Sequence, residues 1–313
     1  MVVSKIYSTF VLLNYKPNKS RKGKNQMTAP RINLKNLEML QNDDVFVKSK
    51  LVNLSEVTGF KTRKGLEQAV VCEGEIVNVV SKSYGHLPNE VFFADVERQL
   101  NEVGIKYAKR SINRENRSFA VDYILNDPNY IIKVKTGKDI IMPMLRFVNS
   151  YDGSNKTSGH FGFYRQVCTN GLHVANFEIG FSVKHRGDIV SIVLPEILTL
   201  TNRFMDNQYY SLSKKFEVLA ERPIANLEDF VKLTAEKLGL FKYEMSEKNP
   251  MPSLNARTVI DIIKNESALL GNAPTLWNGY NAFNELLHTK LKKTFEQQKN
   301  IDSSLFSAVL EMA

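Results

Sequence analysis

Two short stretches hold the side chains best suited to chemistry. Cys168 follows His160 by eight residues and precedes His173 by five. A thiolate beside an imidazole base is the arrangement of a cysteine nucleophile, and one sulfur with two ring nitrogens is also a metal-ligand set. The spacing matches no common metal site, and Cys168 sits in an apolar run where a packed thiol is the ordinary outcome. The second stretch is Asn149-Ser150-Tyr151-Asp152-Gly153-Ser154-Asn155. Asp-Gly and Gly-Ser favour a tight turn in which Asp152 and Ser154 bond their own backbone. The functional alternative is a polar loop presenting a carboxylate and a hydroxyl to a ligand.

Complete catalytic sets are missing. The sequence holds no Gly-rich phosphate loop ending in Lys-Ser/Thr, no dinucleotide fingerprint, no Cys-x-x-Cys and no Gly-x-Ser-x-Gly elbow. NTPase, Rossmann oxidoreductase, ordinary zinc-site and α/β-hydrolase readings therefore lose their support. No metal and no cofactor is expected. An enzyme using Asp152 with a metal or a histidine stays open as an alternative, and a binding protein is the favoured reading.

A different chemistry is written in the cations. Lys106, Lys109, Arg110, Arg114 and Arg117, offset only by Glu115, give residues 106–117 a net +4, with Tyr107 and Phe119 beside them. Arg146, Phe147, Tyr151, Tyr164 and Arg165 follow on later strand-like runs. Cations neutralise phosphates and aromatic faces stack on unpaired bases. The expected nucleic-acid contacts are Lys106, Lys109, Arg110, Arg114, Arg117, Arg146, Tyr164 and Arg165. A solvated hairpin rim over core aromatics explains the same residues without a ligand.

The elements that must position these side chains change period along the chain. Val70–Cys72 and Ile76–Val80 are short and β-branched, as strands are. Asn89 opens a helix carrying Val91, Phe92, Val96, Leu100 and Val103, closed by Gly104. Lys106–Ile112 and Ser118–Leu125 read as a hairpin. Further strands are expected at 130–135, 140–149, 160–167, 177–185 and 189–194. After Pro195 the period becomes helical, with one long segment to Leu219, a helix capped by Asn226, one at Val259–Ile263 and one capped by Thr275. Strands followed by helices predict an α+β fold, a curved antiparallel sheet with a packed helix in the centre and a mainly helical C-terminal part. The expected division is a flexible basic leader at 1–30, a β-rich core domain at 31–194 and a helical region at 195–313.

Three stretches resemble a phage- and plasmid-borne family known as domain of unknown function number 932. They are Asn149–Ser154, Tyr164-Arg165-Gln166-Val167-Cys168-Thr169-Asn170-Gly171-Leu172 and, more weakly, Thr275–Glu285. The likeness spans roughly residues 70–290. It marks Asn149, Tyr151, Asp152, Gly153, Ser154, Cys168, Thr169, Asn170 and Gly171 as the family-motif residues, and it implies a mobile-element setting. It brings no established reaction. The order of elements is also similar to that of phage single-strand annealing proteins, which pack helices on an antiparallel sheet and often form rings.

Length and charge bound the partners. The 313 residues are 43% hydrophobic and 24% charged, too apolar for a disordered chain. The net charge of +9 divides unevenly. Residues 1–26 carry six cations and no acid, leaving 36 basic against 33 acidic residues, or +3, in the rest. That leader reads as a targeting segment, a phosphate-contacting arm or a loose tail, and Met27 offers a second start. No run approaches a membrane span, and two cysteines, Cys72 and Cys168, make no disulfide scaffold, so a reducing cytoplasm is expected. The expected function is single-stranded DNA binding or annealing by a homo-oligomer. The alternative is a non-enzymatic interaction or virion-associated protein of a mobile element.

Overall fold

The computed structural model describes residues 42–134, 139–165, 171–172, 180–205 and 210–313. The expected leader and the motif residues Cys168, Thr169 and Asn170, with His173, lie outside the described residues. The fold is α+β. Within the described residues the order is β1 (Ser49–Asn53), α1 (Leu54–Thr58), β2 (Gln68–Cys72), β3 (Glu75–Val80), α2 (Asn89–Glu102), β4 (Tyr107–Arg114), β5 (Ser118–Leu125) and β6 (Ile132–Val134). Then follow β7 (Asp139–Ser150), β8 (Thr157–Arg165), β9 (Gly171–Leu172), β10 (Gly180–Val183), α3 (Ile189–Met205) and α4 (Tyr210–Glu221). The chain closes with α5 (Leu227–Leu238), the β11 (Glu244–Ser246) and β12 (Asn249–Pro252) hairpin, α6 (Leu254–Leu270), α7 (Leu276–Thr289) and α8 (Phe295–Leu310).

The large sheet runs β10-β8-β7-β5-β4, all antiparallel. The strand β7 is long enough for β5 and β6 to share one of its edges end to end. A smaller sheet, β1-β2-β3, stands beside it. The pairing register sorts side chains onto two faces, because successive residues of a strand alternate. Phe119, Val121, Tyr123, Leu145, Phe147 and Phe161 share one face and enter the main core. There Phe92 of α2 meets Phe147 edge-to-face at 6.0 Å. The same core continues into the helices: Phe216 of α4 lies 5.1 Å from Phe163, 5.0 Å from Trp277 and 5.8 Å from Phe306, ring to ring. Burying each such ring is worth about 1.5–3 kcal/mol, with about another 0.5–1.5 kcal/mol per well-oriented pair.

Local sequence accounts for most element ends. Asn226 accepts from the backbone N–H of Glu228 and Asp229, and Gly239 closes α5 in the left-handed conformation. Thr275 and Asn278 form a reciprocal capping box at α7. One expected strand is corrected. Residues 189–194 start α3, and the helix continues through Pro195. Ile189, Val193, Ile197 and Leu200 are all buried, a helical spacing that a β-branched run conceals. The helix α8, the hairpin β11–β12 and the strand β1 were not anticipated from the sequence.

Gly279, the one glycine of α7, is closely packed. A methyl group there would lie 2.5 Å from Phe230 Cζ and 3.2 Å from Ile224 Cδ1. Gly279→Ala, which in an open helix would gain about 1 kcal/mol, is expected instead to destabilise by about 1–3 kcal/mol through overpacking. A urea midpoint that falls rather than rises checks this.

Candidate nucleic-acid interface

The expected cations divide into an interior set and a surface set. The register places Arg110, Asp122, Arg146 and His160 side by side across β4, β5, β7 and β8 on one face. Asp122 is fully buried, and both guanidinium groups converge on it: Arg146 Nε at 2.5 Å and Nη2 at 2.7 Å, Arg110 Nε at 2.8 Å and Nη2 at 2.5 Å. Burial alone would push this carboxyl up; Arg146 and Arg110 outweigh it and hold the group well below the usual carboxylate range. Apolar side chains close both sides of this polar row: Ala120, Val148 and Phe295 on one, Ile124, Met142, Met144 and Tyr164 on the other.

The expectation that Arg146, Tyr164 and Arg165 face a ligand is therefore corrected. Arg146 is 2% exposed, and Tyr164 and Arg165 are fully buried. Arg165 donates to Asp139 at 2.6 Å and to Glu266, while Trp277 Nε1 donates to the same Asp139 at 2.7 Å. These groups hold the sheet to the helices. A buried cation needs a carboxylate partner, and that requirement draws Arg146 and Arg165 inward.

Of the surface set, Arg114 and Arg117 lie at the end of the sheet where the motif loop lies. Arg114 stacks on Phe295 with its guanidinium carbon 3.7 Å from the ring centroid, and donates to the Lys293 carbonyl at 2.9 Å and to Gln298 Oε1 at 3.2 Å. Arg117 is exposed at the tip of the β4–β5 turn, and its carbonyl accepts from the Tyr151 N–H at 2.7 Å. Lys106 is exposed at the other end of β4, and Lys109 pairs with Glu97 at 3.2 Å. The tip of the hairpin, not its length, thus meets the motif loop.

That loop is a hydrogen-bonded hub. Asn149 donates to the Leu87 carbonyl at 2.9 Å and to Asn89 Oδ1 at 2.8 Å, and accepts from Thr157 Oγ1 at 3.0 Å. The Tyr151 hydroxyl accepts from the Asn89 N–H at 2.8 Å, and Asn78 Nδ2 donates to the Tyr151 carbonyl at 3.2 Å. Ser150 Oγ donates to the Asn155 carbonyl at 2.7 Å, and Asn155 Nδ2 donates to Ser118 Oγ at 2.8 Å. Asp152 Oδ1 accepts from the Ser154 N–H at 2.9 Å, and Gly153 at φ +75° takes the left-handed turn position. Gly171 of the second motif pairs with Tyr164 in the sheet.

Beyond the hub stands a second basic flank that the sequence reading passed over. His185 stacks on Tyr84 with ring centroids 5.3 Å apart, one ring nitrogen 3.3 Å from Thr157 Oγ1 and the other 3.2 Å from the Gly85 carbonyl. Burial, then the Asp152 charge, pushes the Tyr84 hydroxyl above its ordinary value. The Gly187 N–H donates to the Ser83 carbonyl at 3.0 Å, which brings Lys184 and Arg186 beside Lys82. Lys82, Lys184, Arg186, Arg117, Lys292 and Lys293 are exposed, and among the described residues none forms an ion pair. Glu67, beside Lys82, and Glu115, Asp152 and Asp188 are acids interspersed with them. A fixed polar loop between two flanks of mobile cations is suited to holding a polyanion. The signal in the sequence was the lack of acids between Lys82 and His86 and among residues 286–293.

Two outcomes follow for the interior set. Asp122→Asn, which leaves Arg146 and Arg110 with a neutral partner, is expected to cost about 3–5 kcal/mol in chemical denaturation. The second concerns pH. Burial holds His160 well below the ordinary imidazole value, and His288 down to about 3. The unfolded chain takes protons near pH 6.5 while the native chain refuses them, so stability is full above that pH and falls as pH drops below it. Asp122, with its folded value depressed, keeps its contribution until pH falls below about 4. Urea midpoints measured from pH 7.5 to 5 should decline, and His160→Gln should flatten the slope by up to about 1.4 kcal/mol per pH unit.

No solved structure matches the chain. Residues 76–306 match the sequence profile described as "Domain of unknown function (DUF932)", a span that begins in β3, takes in the motif loop and ends within α8. With most of its length, including the hub and both of its flanks from Lys82 to Lys293, inside that match, the chain belongs to the DUF932 family.

Proposed function

We propose that this protein binds nucleic acid, single-stranded DNA in particular, at the motif-loop end of its large sheet. The observation that carries the reading is the set of exposed cations, without an ion pair among the described residues, from four separate connections around one polar loop. Such groups release counterions when they engage phosphates, and that release dominates affinity for a strand. Their side chains remain long and mobile, which fits binding without sequence readout. A mobile-element setting, recombination or replication as the process, and assembly into a homo-oligomer belong to the same proposal. Among the described residues no helix is long and apolar enough to cross a membrane.

A second reading is favoured by one feature. Met245 and Met251 on the β11–β12 hairpin and Leu254 at the start of α6 are 59%, 57% and 71% exposed. Apolar side chains grouped in this way suit a protein partner, as an interaction or virion-associated role requires. The two readings separate on one measurement.

Anisotropy of a labelled oligonucleotide at 50–200 mM salt should show affinity falling steeply as salt rises. Replacing Arg117, Lys292 and Lys293 together by Ala should flatten the log–log salt slope by about 2, near 0.7 per lost single-strand contact. An absence of binding at 50 mM salt would remove this proposal and leave the partner reading. An unchanged slope in the triple variant would move the strand elsewhere on the surface.

A further inference from the structure

The connection from β1 to β2 projects from the small sheet. Its base is pinned: Asn53 pairs with Gln68, and the Leu54 N–H donates to the Glu67 carbonyl at 2.9 Å. Between these points α1 ends at Gly59, at φ +72°, and the chain turns back through Gly65, at φ +92°. A Cβ at either glycine would meet nothing within 4 Å, so both flank open space. Phe60 stands at this tip with 77% of its surface exposed, the largest exposure among the large apolar side chains of the described residues. Lys61, Arg63 and Lys64 are exposed beside it and form no ion pair among the described residues, and the nearest acids along the chain are Glu56 and Glu67 at the base of the connection.

An exposed ring of this size leaves its apolar surface in water, and this one touches no other ring among the described residues. The arm also continues the basic flank. Gln68 pairs with Val80 across β2 and β3, and Lys82 follows at the end of β3, so the arm and Lys82 share one end of the small sheet. Lys82 in turn adjoins Lys184 and Arg186 through the Ser83–Gly187 bond. A ring beside cations is what a stacked base and its neighbouring phosphates require.

We infer that the loop 59–66 is a stacking arm: Phe60 lies on an unpaired base while Lys61, Arg63 and Lys64 hold the adjoining phosphates, so the arm selects single strands over duplex. The inference rests on the nucleic-acid reading above and adds the source of its strand preference. In a duplex the base faces are already stacked on one another, and the ring has no face to cover. An anionic bilayer is the other surface that a ring among cations can meet. The cations of the arm and of the basic flank favour the strand.

The test uses the full chain with labelled oligo(dT), a duplex of the same length and vesicles containing phosphatidylserine. Phe60→Ala, in an exposed loop, should keep the circular dichroism of the parent. It should lower single-strand affinity roughly five- to hundredfold, the range for one stacked base, while duplex affinity and the salt slope stay put. Phe60→Trp should restore affinity, and its fluorescence should be quenched by the strand while the buried Trp277 stays silent. Lys61→Ala/Arg63→Ala/Lys64→Ala should flatten the salt slope. If Phe60→Ala binds the strand as the parent does, the arm is overturned while the nucleic-acid reading stands. Loss of vesicle binding alone in that variant would also overturn it and make Phe60 a membrane contact. If the parent chain binds neither oligonucleotide, the underlying reading falls first and takes the arm with it.

Discussion

The carboxylate of Asp122 governs what the large sheet can offer to a partner. It sits in a central strand, without solvent, between two guanidinium groups from the neighbouring strands. A charge in that position cannot be left alone, because its desolvation outweighs any single hydrogen bond. Arg110 and Arg146 are committed to it, and Arg165 is committed to Asp139 and Glu266 in the same way. The interior therefore consumes these three strand cations. The cations exposed around the motif loop lie instead in turns and connections.

This division explains the shape of the proposed interface. The central strands of the large sheet are packed on both faces, so a nucleic-acid strand cannot lie across them as it does on an open sheet. The polar end of the sheet is different. There the hub around Asn149 ties the loop before α2, the β7–β8 turn and the segment after β10 into one frame. The basic turns hang from that frame. The Arg114 stack on Phe295 links the same frame to the loop between α7 and α8.

Much of the architecture was legible in the sequence because it is local. The caps at Asn226 and Thr275, the hairpin of β4 and β5 and the tight turn at Asp152-Gly153 each depend on residues a few positions apart. Residues 189–194 misled because β-branched content and helical spacing coexist there, and the buried partners that favour the helix lie elsewhere in the chain. The site was less legible for the same reason. Asp122 and Arg146 are 24 residues apart, Asp139 and Arg165 26, and Arg165 and Glu266 101. No count of cations along a strand reveals which of them will meet an acid across such distances. Phe60 was hidden differently: no neighbouring residue type marks its ring as exposed, which only the fold reveals.

The hub is built from amides and hydroxyls, with Asp152 as its one formal charge. Dipolar contacts between neutral groups at bonding distance are barely screened by dissolved ions, whereas solvent-exposed charges lose their reach within a Debye length of about 8 Å at physiological ionic strength. The frame and the turns it carries thus answer to different variables. On the proposed reading, added electrolyte would strip a bound polyanion from this surface and leave the scaffold underneath unaltered, ready to be loaded again when the medium is diluted.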